Sequence, residues 1–208
     1  MRSPLAGPGP KYVAFGLLAA APGLLGFANC WLFLLALPGL FLTAFALNFF
    51  RDPERATPGD PRIVYSPADG TVLAVRKEGP GDLVTVRIFM SPLNVHVNRS
   101  PIAGKVEKIV YHAGGFAAAM KPEARENERN VVIFTDGAFR VVVEQVSGFV
   151  ARRIACWVKE GDALAAGQRY GMIYYGSQAA VHLPESCKIL VGPGDKMVGG
   201  MTPLAERA

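Results

Sequence analysis

The chain has 208 residues, half of them hydrophobic, with 22 Lys and Arg against 17 Asp and Glu and a formal net charge of +5; that length holds one domain with a core plus an accessory segment. No basic run or aromatic-interleaved basic patch accompanies the charge, which excludes a nucleic acid partner. Cys30, Cys156 and Cys187 have neither metal-ligand spacing nor an even count, so no metal centre or disulfide framework is expected and a reducing compartment fits.

From Tyr12 to Phe50 no residue is charged, a longer apolar stretch than a buried core helix requires. A turn-prone break at Gly26, Ala28 and Asn29 divides it into predicted helices over 12–27 and 30–50, each near the ~20 residues that cross a hydrocarbon core. The expectation is a transmembrane helical hairpin. Arg2 and Lys11 flank one outer end, and Arg51, Arg55 and Arg62 the other. The positive-inside rule then places both ends in the cytoplasm and the folded domain on the cytoplasmic face of the cell membrane. The same charges attract anionic headgroups. A cleaved signal peptide fits less well, because the apolar region is long, has two parts and lacks a small-x-small cleavage site. Pro38-Gly39 keeps open a re-entrant loop in place of a full second span.

After Phe50 the composition turns abruptly polar and proline-rich, with Arg51-Asp52-Pro53-Glu54-Arg55 and then Pro58-Gly59-Asp60-Pro61. This predicts a boundary between an anchor over 1–50 and a folded domain over 51–208. Short β-branched runs follow at 71–76, 83–89, 105–111, 131–134, 139–146, 168–175, 179–183 and 188–191. They predict a mainly β, β-rich α+β domain of short antiparallel strands, barrel-sandwich-like in architecture. One short helix is expected over 116–125, interrupted by Pro122. Val158-Lys159-Glu160-Gly161-Asp162 followed by Gly167-Gln168 is similar to the turn of biotinyl and lipoyl carrier domains. By itself it indicates tight turns in which glycine relieves positive φ, with no specified chemistry.

Tyr174-Tyr175-Gly176-Ser177-Gln178 lies between two predicted strands, and a Gly-Ser pair is ordinarily a turn. The surrounding segments change its reading. Ser66-Pro67-Ala68-Asp69-Gly70 comes first, then the run from Phe89 through Asn94-Val95-His96-Val97-Asn98-Arg99 to Gly104. Asn127-Glu128-Arg129-Asn130, the Gly-Ser pair, and a tail from Gly194-Asp195-Lys196 through Gly199-Gly200 to Ala205 complete the order. In this combination, from about Arg51 to Ala205, the chain resembles the short bacterial and archaeal form of the phosphatidylserine decarboxylases.

The resemblance implies a proenzyme that cleaves itself between Gly176 and Ser177. It would give a beta chain, 1–176, and an alpha chain, 177–208, whose first residue becomes a pyruvoyl group. That group, the only cofactor implied, would form a Schiff base with the serine amine of phosphatidylserine and release phosphatidylethanolamine after loss of carbon dioxide. The implied partners are a phospholipid substrate, the membrane, and the two chains for each other, with further oligomerisation open. Glycine before the serine leaves the attacked carbonyl unshielded, and the hydroxyl needs a base. Family members use an Asp-His-Ser arrangement, whose motif positions here are Asp69, His96 and Ser177. The carboxylate would fix the tautomer of the histidine. Read without the family, Asp69 before Gly70 also suits a β-turn, and a lone histidine in a strand is usually a hydrogen-bonded core residue. Longer relatives carry a second histidine where this chain has Arg99, so His96 either serves both self-cleavage and decarboxylation or Asp69 acts with another group. Of the other histidines, His182 is expected at an exposed strand position. Arg99 and Arg129, and less so Arg125, are candidates to pair with the lipid phosphate. A membrane-anchored carrier or adaptor without catalysis is the alternative, but no lysine sits in the motif of such carriers.

Overall fold

A computed structural model describes residues 5–25, 34, 36–78, 83–115, 127–148, 153–174 and 177–208. The helix expected over 116–125, Arg125 and Gly176 lie outside them. The chain divides into two compact units, Met1–Pro53 and Glu54–Ala208.

The first unit is built on two helices, α1 (Gly9–Leu25) and α2 (Ala36–Phe49). They meet through small residues. A Cβ on Gly16 would come within 2.4 Å of Thr43 Oγ1, and one on Gly39 within 2.5 Å of the Ala20 backbone nitrogen. Gly16 and Ala20 on α1, and Gly39 and Thr43 on α2, thus form facing small-x-x-x-small pairs that let the backbones touch, as helices packing in lipid do. Thr43 donates its hydroxyl to the Gly39 carbonyl at 2.8 Å. The large apolar side chains lie on the other faces: Phe15, Leu18 and Phe41 are 64%, 73% and 70% exposed. Among the described residues no helix is long and apolar enough to cross a membrane. At 1.5 Å per residue the two extend roughly 26 and 21 Å, against the ~30 Å hydrocarbon thickness.

The second unit is mainly β, and every ladder between its strands is antiparallel. An eight-stranded sheet, in spatial order, takes β13 (Lys196–Met197), β2 (Gly70–Lys77), β3 (Leu83–Met90), β11 (Ser177–Pro184), β7 (Arg140–Val146), β6 (Arg129–Thr135), β5 (Gly104–His112) and β9 (Ala163–Leu164). Beside it are two three-stranded sheets. One orders β1 (Ile63–Tyr65), β14 (Pro203–Glu206) and β12 (Lys188–Ile189); the other orders β4 (Val97–Arg99), β10 (Arg169–Ile173) and β8 (Ile154–Cys156).

Alternation along the long strands sets the core. Val86, Ile88 and Met90 of β3, Val132 and Phe134 of β6, Val141 and Val143 of β7, and Ala179, Val181 and Leu183 of β11 all enter one buried cluster. The eight predicted strands are all present, with ends shifted by a few residues. The predicted strand edge at 174–178 resolves into β10 ending at Ile173 and β11 opening at Ser177.

Candidate active site

Ser177 is the first residue of β11, which runs in the interior of the large sheet. Its register partner on β3 is Met90, and on the other side β7 pairs with β11 from Gln178↔Val146 onward. The chain leaving Met90 turns back at once. Asn94 Oδ1 accepts hydrogen bonds from Ser91 N and Ser91 Oγ, both at 2.9 Å, and the loop then leads through His96 to the start of β4. The carbonyl of His96 accepts from Ile173 N at 3.2 Å, and β4 pairs with β10 through Val97↔Met172 and Asn98↔Gly171. Hydrogen bonding therefore ties the His96 segment to the strand leading into Gly176-Ser177.

His96 is fully buried. Its Nδ1 lies 3.0 Å from the carbonyl oxygen of Asn94. A carbonyl only accepts, so Nδ1 carries the proton and Nε2 is the basic nitrogen of the neutral ring. The carboxylate expected to set this tautomer is elsewhere. Asp69 makes a two-pronged pair with Arg55, Nη1 to Oδ1 at 2.5 Å and Nη2 to Oδ2 at 2.9 Å, and Oδ1 also accepts from Gly199 N at 2.8 Å. Arg55 closes the ring by donating to the Gly199 carbonyl at 2.7 Å. The planar guanidinium fork matches a carboxylate as an imidazole does not, which accounts for the difference from the expected Asp-His contact. The two loops are nonetheless neighbours: Arg99 N donates to the Pro67 carbonyl at 2.8 Å. Gly70 fixes where Asp69 sits, since a Cβ there would come within 2.1 Å of the Phe89 carbonyl oxygen.

Arg99 is only 2% exposed. Its Nη1 donates to the Gly167 carbonyl at 3.1 Å, and its Cδ lies 2.9 Å from where a Cβ on Gly200 would be. Arg99, a candidate partner of the lipid phosphate, packs against the Gly167 and Gly200 turns inside the domain. Arg129 opens β6 half-buried, and its charge acts on Glu144 of β7. Burial pushes the Glu144 carboxyl up, but the neighbouring His182 ring, Arg129 and Arg87 draw it further down, leaving it below the usual carboxylate range. His182, expected at an exposed position, is buried instead. Its Nδ1 is 2.8 Å from Thr85 Oγ1 and its Nε2 is 3.4 Å from Glu144 Oε1. No cluster of metal-ligating side chains occurs among the described residues.

Three further residues at this end of the core escaped the reading of the sequence. Asn130 Nδ2 donates to Gln145 Oε1 at 2.9 Å, and Gln145 Nε2 donates to Asn98 Oδ1 at 2.8 Å. The only available signal was a broken alternation: Asn130 and Gln145 fall on the inward parity of Val132 and Phe134 and of Val141 and Val143.

Comparison with known proteins adds to this geometry. Residues 42–205 match the family model described as phosphatidylserine decarboxylase. A phosphatidylserine decarboxylase proenzyme of Citrifermentans bemidjiense is 43% identical over 97% of this chain and 96% of its own length. Proenzymes of the same name from Gluconobacter oxydans and Desulfotalea psychrophila are 44% and 41% identical, covering 92% and 80% of this chain and 91% and 81% of their own. The family model covers most of the chain and these relatives are more than 40% identical over most of their length: the chain belongs to the phosphatidylserine decarboxylase family.

Proposed function

We propose that this chain is a proenzyme that cleaves itself between Gly176 and Ser177 and then decarboxylates phosphatidylserine to phosphatidylethanolamine. The observation that carries the reading is the position of Ser177, at the head of an interior strand and in register with Met90, whose following loop delivers His96. In the cleavage, His96 Nε2 takes the proton of the Ser177 hydroxyl, whose oxygen bonds to the Gly176 carbonyl carbon. The Gly176–Ser177 C–N bond breaks, the proton goes to the freed nitrogen, and an ester remains. Removal of the α-proton of residue 177 then expels the Gly176 carboxylate. The dehydroalanine left at 177 hydrolyses to a pyruvoyl group and ammonia.

The residues present fit that group. Ser177 is the first residue of β11, so a new chain end there leaves the pairing of the following residues, Gln178↔Phe89 onward, intact. Asn98, a buried amide, faces the thioether of Met90, the register partner of Ser177, at 3.9 Å. When present, the pyruvoyl carbonyl supplies an electrophile for the substrate amine and a sink for the electrons left as carbon dioxide departs. The chain's own contribution is to bury the site and hold His96 in one tautomer. The alpha chain stays in place after the cut: β11 is bonded along its whole length to β3 and through Gln178–His182 to β7, β13 to β2, and β14 to β1. Intact-mass measurement of the purified protein is expected to give two species, 1–176 and 177–208 with a pyruvoyl end, and the preparation to convert phosphatidylserine in vesicles to phosphatidylethanolamine. A single full-length mass in an active preparation would sink the reading.

The α1–α2 pair forms the membrane anchor of this enzyme, embedded as a hairpin in the cell membrane with the catalytic domain on the cytoplasmic face. Small residues packed inside and large apolar ones outside reverse the pattern of a water-soluble pair. A lipid substrate supplies the reason for such an anchor. The full chain is expected to stay with membranes through an alkaline carbonate wash, and externally added trypsin to leave the domain intact in spheroplasts. Release by carbonate, or digestion from outside, overturns the placement.

A further inference from the structure

Three segments meet at one end of the β4-β10-β8 sheet. By register, Val97 at the start of β4 lies beside Met172 near the end of β10, and Ile173 lies beside Ile154 at the start of β8. The loop entering β4, the residue leaving β10 and the residue entering β8 therefore share that end. They are residues 91–96, Tyr174 and Arg153, spread across three strands that span about 10 Å. The same loop leaves β3 at Met90, the register partner of Ser177.

The tip of that loop is apolar and held outward. Leu93 is 71% exposed, the most exposed large apolar side chain among the described residues of the second unit, and Pro92 beside it is exposed. Three hydrogen bonds close the turn around them: Asn94 N donates to the Ser91 carbonyl, and Ser91 N and Oγ donate to Asn94 Oδ1, each at 2.9 Å. Pro92 has its φ fixed as well, so the tip is rigid and docking it costs little ordering. Two strands away Arg153 is exposed, with its guanidinium carbon 5.9 Å from the centre of the buried Tyr174 ring. Among the described residues it has no carboxylate partner, unlike Arg55, Arg87 or Arg169. None of the stretches that reach this end, residues 88–98, 145–159 and 163–184, contains an Asp or Glu. One exposed leucine on a protein needs no explanation. A rigid apolar tip beside a bare cation, on an end without acidic residues, has the composition of a contact with anionic lipid.

We propose that this end of the β4-β10-β8 sheet docks on the phospholipid bilayer, with Leu93 seated below the headgroups and Arg153 paired with lipid phosphate. A guanidinium matches phosphate in charge and in geometry. The occupant follows from the substrate, which is itself a lipid of that bilayer. A membrane anchor holds a domain near lipid without choosing the face it presents; Leu93 and Arg153 choose the one that carries the loop joining Met90 to His96. This inference rests on the phosphatidylserine reading and goes beyond it by naming the contact that turns the domain toward its substrate.

Two measurements on the full chain, in phosphatidylcholine vesicles that contain phosphatidylserine, test the proposal. A nitroxide on Leu93→Cys, in the uncut Ser177→Ala chain with Cys30 and Cys156 changed to serine, reports depth by its collisions with dissolved oxygen against those with a water-soluble nickel chelate. It is expected in the oxygen-rich acyl region, whereas the same label on Leu190→Cys, an exposed position just after β12, is expected in water. In the chain with Ser177 intact, Leu93→Asp should raise the mole fraction of phosphatidylserine needed for half-maximal rate roughly tenfold. Arg153→Gln should raise it roughly fivefold, and Arg153→Lys, which keeps the charge, much less; kcat should hardly change in any of them. A label at 93 as open to nickel as the one at 190 overturns the proposal. So does a label shielded from both reagents, which marks a protein contact such as a second copy of the chain. Equal losses on monodisperse dihexanoyl phosphatidylserine would put the two residues at the reacting group instead of the bilayer, and overturn it as well. A deep label together with a parent chain that never converts phosphatidylserine refutes the substrate reading and leaves the docking standing.

Discussion

Ser177→Ala is expected to leave one full-length chain on a denaturing gel and to reduce phosphatidylserine decarboxylation to background. The oxygen that becomes the new bond to Gly176 is the one atom the substitution removes, and no neighbouring side chain can supply a keto group at the same backbone position. The fold should survive, because Ser177 takes part in β11 through its backbone, in register with Met90, and alanine keeps that pairing. The variant therefore also separates chemistry from folding. A full-length band with undiminished product formation would mean that the electrophile has another origin. Ser177→Cys is an informative companion: a thiol makes the acyl shift to a thioester, whose elimination leaves the same dehydroalanine at 177 but a thiocarboxylate in place of the carboxylate on Gly176, so altered cleavage kinetics with a heavier 1–176 product and an unchanged pyruvoyl end are the expected pattern.

Arg55→Ala is expected to be the most damaging substitution outside the cleavage junction. The Arg55 and Asp69 side chains are only 10% and 12% exposed, and removing one partner of such a pair leaves a carboxylate out of water without its counter-charge, at a cost of about 3–5 kcal/mol. Asp69 also anchors Gly199, and Arg55 the Gly199 carbonyl, so the tail carrying β14 loosens with it. Urea unfolding in the Ser177→Ala background should show a lowered midpoint, and the split in the otherwise native chain should slow. Arg55→Lys keeps the charge but not the fork and should fall between. Removing both charges, in Arg55→Leu with Asp69→Leu, should recover much of the stability but not the cleavage. An Arg55→Ala chain as stable as its parent would show the pair to be dispensable.

The long strands were legible because their evidence is local. Leu83–Met90 and Arg140–Val146 are dense in β-branched residues, and turns rich in glycine and proline mark their ends. Ile63–Tyr65, Val97–Arg99, Lys196–Met197 and Pro203–Glu206 were missed, since two to four residues carry no period and such strands exist only because a distant one pairs with them. Residues 26–33 and 35, where the two predicted helices were expected to meet, lie outside the described residues. The family was readable through the order of the segments around the Gly-Ser pair and His96. The partners of these residues were not. Nothing local in Asp69 says that its carboxylate will face a guanidinium 14 residues back, and Gln145 sits among valines as an apparent irregularity until β4 brings Asn98 against it. His182 was misplaced for the related reason that polar side chains are assigned to water unless a tertiary partner is visible.

Under the proposed cut between Gly176 and Ser177, the division of strands between the two products would set an order of events. Of the alpha chain, β11 lies between β3 and β7, β13 caps β2, and β14 lies between β1 and β12. A separately synthesised 177–208 peptide would have to open the large sheet between β3 and β7 to insert, so complementation in trans is disfavoured and the two halves would be woven while still one polypeptide. Maturation by that cut would then serve as a proof of correct folding: only a molecule that has already assembled its sheets could equip itself to react, and a misassembled one would stay inert.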